Sequence, residues 1–498
     1  MRQLDGLYSL VLRLTKSEKR YFRLFTQLQQ GDRLYWHLYE LILRENGNDG
    51  QVQAAFVARY SAAQFESARK HLYAVLLKSL RNFRADQDLE TRLAGQIEEA
   101  QILFSKGISA LAIAQLQAVQ QAALKGEKLA LYQWALEREL TYRMQSEFRG
   151  ETEESLIERH ETVGMLLRQQ IFQHQHTALN HLLLFRYFQQ GFTRSPSDDE
   201  RLNDLLLEEH RINAMPHRSS FESRKLHLHF QAAYFLMTGQ YADSLTTYDE
   251  MNRLFEQNPL RQQSEGLYYT YLIDGILTGL RSTGDYTRMS AFLDRVEARI
   301  RQHPVEVYGL EDLLRSHRMS IHLDQEQFTE ALSLFGQSPL VTSPYALNSP
   351  THGQMLLLFY GACASLGLGN HSAALRWINQ LLDLPQPTLS QTLYTAVRLF
   401  ELIIHLDRDD PDHVAYKIRS VEWKLRSHKR LFRAERLVLN SIRLVCQQGW
   451  EHAGLSALLD ELQALKGSAY DSRLSLLFDF GKWLRTKRAA SERQADRR

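Results

Sequence analysis

One short phrase recurs along the chain. Gly239-Gln-Tyr241-Ala-Asp-Ser244-Leu245 returns as Gly284-Asp-Tyr286, as Glu326-Gln-Phe328-Thr-Glu-Ala331-Leu332 and as Gly369-Asn-His371-Ser-Ala-Ala374-Leu375, at steps of 45, 42 and 43 residues. A fixed period of that size is the mark of stacked helical hairpins, each unable to bury its apolar face alone, rather than of one closed core. It predicts an extended surface able to hold a partner and names no ligand.

Composition agrees. The chain has 498 residues, 44% of them apolar and 24% charged, and only ten prolines. Leu, Ala, Gln, Glu and Arg, which lose little rotamer freedom in a helix, are abundant. Alternating runs of Val, Ile and Thr that would argue for strands are nearly absent. Cys363 and Cys446, the two cysteines, lie in apolar helical runs and read as small buried hydrophobes in a reducing compartment. Arg13 interrupts the N-terminal apolar run, and the uncharged stretch around Met355–Leu368 is too short to span a bilayer. The expectation is a soluble, cytoplasmic protein without a membrane span.

The phrase at Gly239 resembles the tetratricopeptide (TPR) repeat most closely between Leu226 and Pro259. In that family a Gly at the turn is followed by an aromatic, a small residue and a second aromatic, the places here of Gly239, Tyr241, Ser244 and Tyr248, with Pro259 closing the second helix. Ala232 and Phe235 suit the preceding helix. The later copies are looser: Met289, Leu293 and Val296; Ala331 and Phe335; Ala374, Ile378 and Leu381 before Pro385. Gly361, Ala362 and Ala364 imply an unusually close helix contact. Weaker elbows fall near Gly107, Gly150, Gly191, Asp409 and Gly449, keeping a pitch of about 43 residues from Lys106 onward. The fold predicted is all-α, a TPR-like right-handed α-α superhelix (an α-solenoid) of about eight to nine hairpins over residues 93–481, with an N-terminal helical domain over 1–92. Two longer loops, Gly336–Gly353 with three prolines and Gly191–Asp199, interrupt it. The phrase LTKSEKRYFRLF, with the later LLKSLRNF, also resembles the N-terminal part of an uncharacterised bacterial family of helical-repeat proteins.

The ends depart from the period. The net charge of +2 conceals +5 over residues 1–92, +5 over 482–498 and −8 between them. Thr15-Lys-Ser-Glu18 and Ser61-Ala-Ala-Gln64 are capping boxes. The first opens a helix through Tyr21, Phe22, Leu24, Phe25 and Leu28. The second opens a helix to about Arg84 whose stripe of Phe65, Ala68, Leu72, Val75, Leu76, Leu80 and Phe83 reads as buried. Lys70, Lys78 and Arg81 share another face of it. With a short helix before it, this segment is either a polar cap for the array or a helix-turn-helix-like module for nucleic acid. Residues 482–498 are expected to be a disordered basic tail.

No phosphate loop, dinucleotide fingerprint, zinc-protease motif, paired C-x-x-C or nucleophile elbow occurs in the sequence. Of the histidines, His174, His176 and His181 form an incomplete metal set, and His227 and His229 point to different helix faces. Neither a metal nor a cofactor is expected, nor catalysis. The predicted role is a non-catalytic scaffold that binds a peptide or partner protein on first helices of the hairpins, with Arg224, His227, Gln231, Tyr268, Tyr271 and Asp274 as candidate contacts. The alternative is a nucleic-acid-binding regulator that uses Lys70, Lys78 and Arg81 and senses through the array.

Overall fold

A computed structural model of the chain describes residues 6–27, 34–85, 88–190, 192–213, 220–258, 261, 265–302, 307, 309–338, 350–385, 389–427, 431–465 and 473–495. All regular structure among them is helical, and no strand occurs. No described helix is long and apolar enough to cross a membrane. The chain forms two compact units, Met1–Arg168 and Gln169–Arg498. The expected boundary near residue 92 falls inside the first unit, just after helix Leu89–Ser105 begins.

In the first unit, helices Leu7–Arg13, Lys16–Gln27, Leu34–Arg44, Asp49–Val57 and Ala62–Arg84 close around Leu7, Val11, Phe22, Leu38, Ile42, Phe56 and Leu72. Both capping boxes form. Thr15 Oγ1 accepts from the Glu18 N–H at 3.1 Å while Glu18 Oε2 accepts from the Thr15 N–H at 2.9 Å. Ser61 and Gln64 do the same, so the orphan N–H groups of both helix starts are satisfied. Helix Lys16–Gln27 buries Glu18, Phe22 and Thr26, an i, i+4 stripe. Leu24 lies half a turn away from that stripe and is 53% exposed; Leu28 lies outside the described residues. Helices Leu89–Ser105, Ser109–Lys125 and Leu129–Gln145 then pack in succession around Leu93, Ile97, Leu116, Val119 and Leu136. Glu139 is fully buried there. Gln117, Gln120, Arg143 and Arg159 donate to its carboxylate at 2.7 to 2.9 Å. Burial opposes its charge, but these bonds outweigh burial and hold its pKa below the usual carboxylate range.

In the second unit, helices come in antiparallel-signature pairs joined by tight elbows: Phe221–Thr238 with Tyr241–Glu256, Gly266–Ser282 with Tyr286–Gln302, Leu310–Asp324 with Phe328–Gly336, His352–Gly367 with His371–Leu382, and Gln391–Asp407 with Pro411–Ser427. Each pair's joint carries one residue in the left-handed region: Gly239, Gly284, Glu326, Gly369 and Asp409. The next N–H then reaches back to the carbonyl five residues earlier: Gln240 to Phe235 at 2.9 Å, Asp285 to Leu280 at 3.0 Å, Gln327 to His322 and Asn370 to Ser365 at 2.8 Å. This is the bond that ends a helix on a left-handed residue and turns the chain at once. Glycine takes the position without a Cβ penalty, and Glu326 and Asp409 adopt it at φ 59° each.

Successive pairs interlock through aromatic rings set against glycines. Tyr248 lies on Gly275, where an added Cβ would stand 2.3 Å from the ring. Phe335 lies on Gly361 in the same way, at 2.8 Å, which accounts for the small residues in the otherwise bulky helix His352–Gly367. Ser244 donates to the Ala232 carbonyl at 2.9 Å, tying the two helices of its pair together.

Outside the pairs, two features stand out. The basic C-terminal segment, expected as a disordered tail, is helix Phe480–Ala495. Its cations are used: Lys482 pairs with Glu326 at 2.6 Å, Lys487 pairs with Asp407, and Arg485 donates to Gln463 at 2.6 Å. The apolar residues ahead of it, with Phe478 4.8 Å from Phe400, anchor that helix, so local basic character did not decide the outcome. The second feature is the loop after helix Glu153–Gln190, where Arg194 reaches Glu435 at 3.3 Å and stacks 4.6 Å over Phe432. Gly191, Pro259 and most of the loop from Gly336 to Gly353 lie outside the described residues.

The ring-on-glycine contact gives a stability test. Gly275→Ala drives a methyl into the Tyr248 ring and is expected to cost about 1–3 kcal/mol. Gly95, which has open space around its missing Cβ, sits inside a helix, and Gly95→Ala is expected to stabilise by about 0.5–1 kcal/mol. Urea unfolding of the two variants against the parent measures both signs.

Candidate functional site

The second unit carries the predicted contact residues on two neighbouring first helices, and their positions follow from helical geometry. On helix Phe221–Thr238 the residues Arg224, His227 and Gln231 occupy one face. Arg224 is exposed and pairs with Glu250 at 3.4 Å; His227 and Gln231 are half-buried. On helix Gly266–Ser282 the corresponding face carries Leu267, Tyr271 and Asp274. Leu267 is 61% and Tyr271 54% exposed, an aliphatic and an aromatic side chain presented side by side one turn apart. Leu267 escaped the sequence reading, although it lies out of register with the buried stripe of Tyr269, Leu272, Ile273 and Ile276.

Tyr268 stands apart from this face. Its ring is turned inward, 4.8 Å from His229 and 4.4 Å from Lys225 Nζ, and burial raises its pKa well above the usual tyrosine range. Lys225 is itself buried, held by Glu222 at 2.8 Å and by Glu265. The group is a closed ion cluster joining helix Phe221–Thr238 to the start of the next first helix. Tyr268 therefore packs the array instead of offering a contact. Burial, helped by the Lys225 charge, pushes His229 down to about 4, so it stays neutral near pH 7.

At the far end of the open face, Asp274 Oδ1 lies 2.8 Å from His317 Nε2. Burial works against the Asp274 charge, but the His317 hydrogen bond and the positive field of His317 and His352 outweigh it and lower its pKa. Asp274 keeps 30% of its side-chain surface open. His352 is exposed, yet surrounding protein still lowers its pKa through desolvation. Two turns beyond Asp274 along the same helix, Arg281 is held by Asp324 at 2.8 and 3.0 Å and by the Tyr360 hydroxyl at 2.5 Å. Helix Gly266–Ser282 thus carries exposed Leu267 and Tyr271, a carboxylate bonded to an imidazole of the next first helix, and a clamped guanidinium. No nucleophile with an adjacent base is among these groups.

In the first unit, Lys70, Lys78 and Arg81 are all exposed on helix Ala62–Arg84. They fall on one arc of the helix, opposite buried Phe65, Leu72 and Leu76, with exposed Gln64, Ser67 and His71 beside them. Helix Asp49–Val57 precedes it across a four-residue connection, and helix Leu34–Arg44 packs against both. Comparison of the chain with family models, with curated proteins and with solved structures finds no match.

His229 gives a pH test. Its folded pKa of about 4 lies below the ordinary value of 6.5, so the unfolded chain takes up the proton first. The stability that this neutral imidazole contributes is fully present above about pH 6.5 and is lost as pH falls toward 4. His229→Leu is expected to flatten the decline in unfolding free energy between those limits, by on the order of 3 kcal/mol at the acid end.

Proposed function

We propose that the protein is a non-catalytic scaffold that holds a peptide or partner protein against its first helices. On this reading the hairpins continue as a TPR-like α-α superhelix of eight to nine units, with first helices along its inner surface. The carrying observation is the pair Leu267 and Tyr271, exposed together one turn apart on a first helix that also carries Asp274. An exposed aliphatic–aromatic pair next to convergent polar groups has the make-up of an interface centre, where a buried anchor supplies affinity and the polar groups fix its register. Arg224, Gln231 and Asp274 serve as the polar contacts. The acidic balance of the chain between its ends favours a partner that brings an apolar side chain to Tyr271 and positive charge to Asp274. His227 and Tyr268, drawn into packing clusters, support this surface from behind.

A second reading rests on a separate observation. The exposed basic arc of Lys70, Lys78 and Arg81, on the longer helix of a three-helix group, suits contact with the phosphates of a nucleic acid. The protein is then a regulator whose array senses a second molecule.

Affinity capture from the native host decides between them. Scaffold function predicts a reproducible protein partner that is lost, at least about tenfold, with Leu267→Ala plus Tyr271→Ala, a loss of about 1.4 kcal/mol or more. The same partner is retained by Tyr416→Ala plus Trp423→Ala, a change on an exposed face of helix Pro411–Ser427. A partner insensitive to the first change, or recovery of bait alone, contradicts the scaffold. Salt-sensitive recovery of nucleic acid that is lost on charge reversal of Lys70, Lys78 and Arg81 establishes the regulator instead.

A further inference from the structure

Within the second unit, residues from three helices, His176, Glu209 and His227, come to one point. His176 lies on helix Glu153–Gln190, Glu209 on Asn203–Asn213 and His227 on Phe221–Thr238. His176 and Glu209 are buried and His227 half-buried. One ligating atom from each lies within 4.8 Å of the other two. No sequence spacing announces this set, because 33 residues separate the first from the second and 18 the second from the third.

The hydrogen bonds around His227 do not satisfy themselves. Its Nδ1 stands 2.5 Å from Glu209 Oε1 and 2.8 Å from Asn213 Nδ2, and the same Asn213 amide contacts Glu209 Oε1. If Nδ1 carries the proton it donates to Glu209, and its N–H then faces the N–H of Asn213. If Nδ1 is bare it accepts from Asn213, and its lone pair then faces the carboxylate oxygen. Either tautomer leaves one repulsive contact in a buried position. Turning the Asn213 amide over only moves the conflict, placing two oxygens together. A cation between Nδ1 and the carboxylate removes it, because both atoms then point lone pairs at positive charge and the Asn213 amide remains as a donor to the carboxylate. His176 Nε2 is 4.0 Å from Glu209 Oε1, too far for a hydrogen bond and of the order found between two ligands of one ion.

We propose that His176, Glu209 and His227 form a binding site for a divalent transition-metal ion, of the two-histidine, one-carboxylate type. Two imidazoles with one carboxylate suit Zn²⁺ and its neighbours, not Ca²⁺ or Mg²⁺, which call for oxygen ligands throughout. Ligands about 2.0–2.2 Å from one ion lie at most about 4.4 Å apart, so the three atoms, within 4.8 Å of one another, would close in slightly on binding. Asn213 orients the carboxylate from outside the ligand set, and Phe172, edge-on to the His176 ring at 4.8 Å, fixes that imidazole. The ion fastens together three helices, among them the one that presents Arg224 and Gln231. The site does not depend on the scaffold reading.

The test uses the full chain, stripped with chelator and titrated with Co²⁺ as an optical probe and then with Zn²⁺ in competition. The expected result is one equivalent of Co²⁺ with visible d–d absorption, displaced by one Zn²⁺. His227→Ala and Glu209→Gln are expected to weaken it at least about 100-fold, and Asn213→Ala about tenfold. His174→Ala, two residues from His176 but exposed on another face of the same helix, is expected to leave it intact. X-ray absorption of the Zn²⁺-loaded parent chain reads the site without any variant and is expected to show two imidazoles, an oxygen and no sulfur. No binding by the parent, binding undiminished in His227→Ala, or a sulfur-containing shell would each overturn the proposal.

Discussion

The elbow hydrogen bond is the interaction on which the second unit depends. One residue enters the left-handed region, the next N–H bonds to the carbonyl five residues back, and the helix ends with the chain already reversed. Two consequences follow from that local event. The following helix must lie against the one just completed, as Ser244 lies against the Ala232 carbonyl. The apolar stripe left over by each pair must find the next pair, and it does so where Tyr248 meets Gly275 and Phe335 meets Gly361. Packing between pairs is thereby set by a bulky ring in one and a missing side chain in its neighbour, a fit that tolerates little change in either.

Polar groups complete the register. First helices join one another through buried or half-buried pairs: Lys225 with Glu265, Asp274 with His317, Arg281 with Asp324. Buried charges of this kind add little net stability when whole, but removing one partner leaves the other stranded, so they penalise misaligned packing more than they reward the correct one. They also keep the exposed face of the first helices polar enough to remain in water while Leu267 and Tyr271 stand open. The candidate site is thus a by-product of how successive helix pairs are held in register.

Much of the local structure could be read from the residues. Gly239, Gly284 and Gly369 mark elbows because only a residue without a Cβ enters the left-handed region freely, and the capping boxes at Thr15 and Ser61 mark helix starts. Glu326 and Asp409 fill the same elbow position without a glycine; the phrase Phe328-Thr-Glu-Ala331-Leu332 located the first and the period the second. Three-dimensional juxtaposition was less legible. Nothing local distinguishes Tyr268, turned onto Lys225, from Tyr271, which faces water three residues later; the difference is made by a neighbouring helix. His176, Glu209 and His227 come from three helices and have no linear signature at all. The basic run from Lys482 has the composition of a solvated tail, but the apolar anchor at Phe478 and the acceptors at Glu326, Asp407 and Gln463 hold it as a helix.

The central claim is that first helices carry the binding surface. Hydrogen–deuterium exchange of the full chain with and without its captured partner tests it most directly. The account predicts added protection on Phe221–Thr238, Gly266–Ser282 and Leu310–Asp324, with their second helices unchanged. Protection confined to Ala62–Arg84, or to second helices such as Pro411–Ser427, would contradict it.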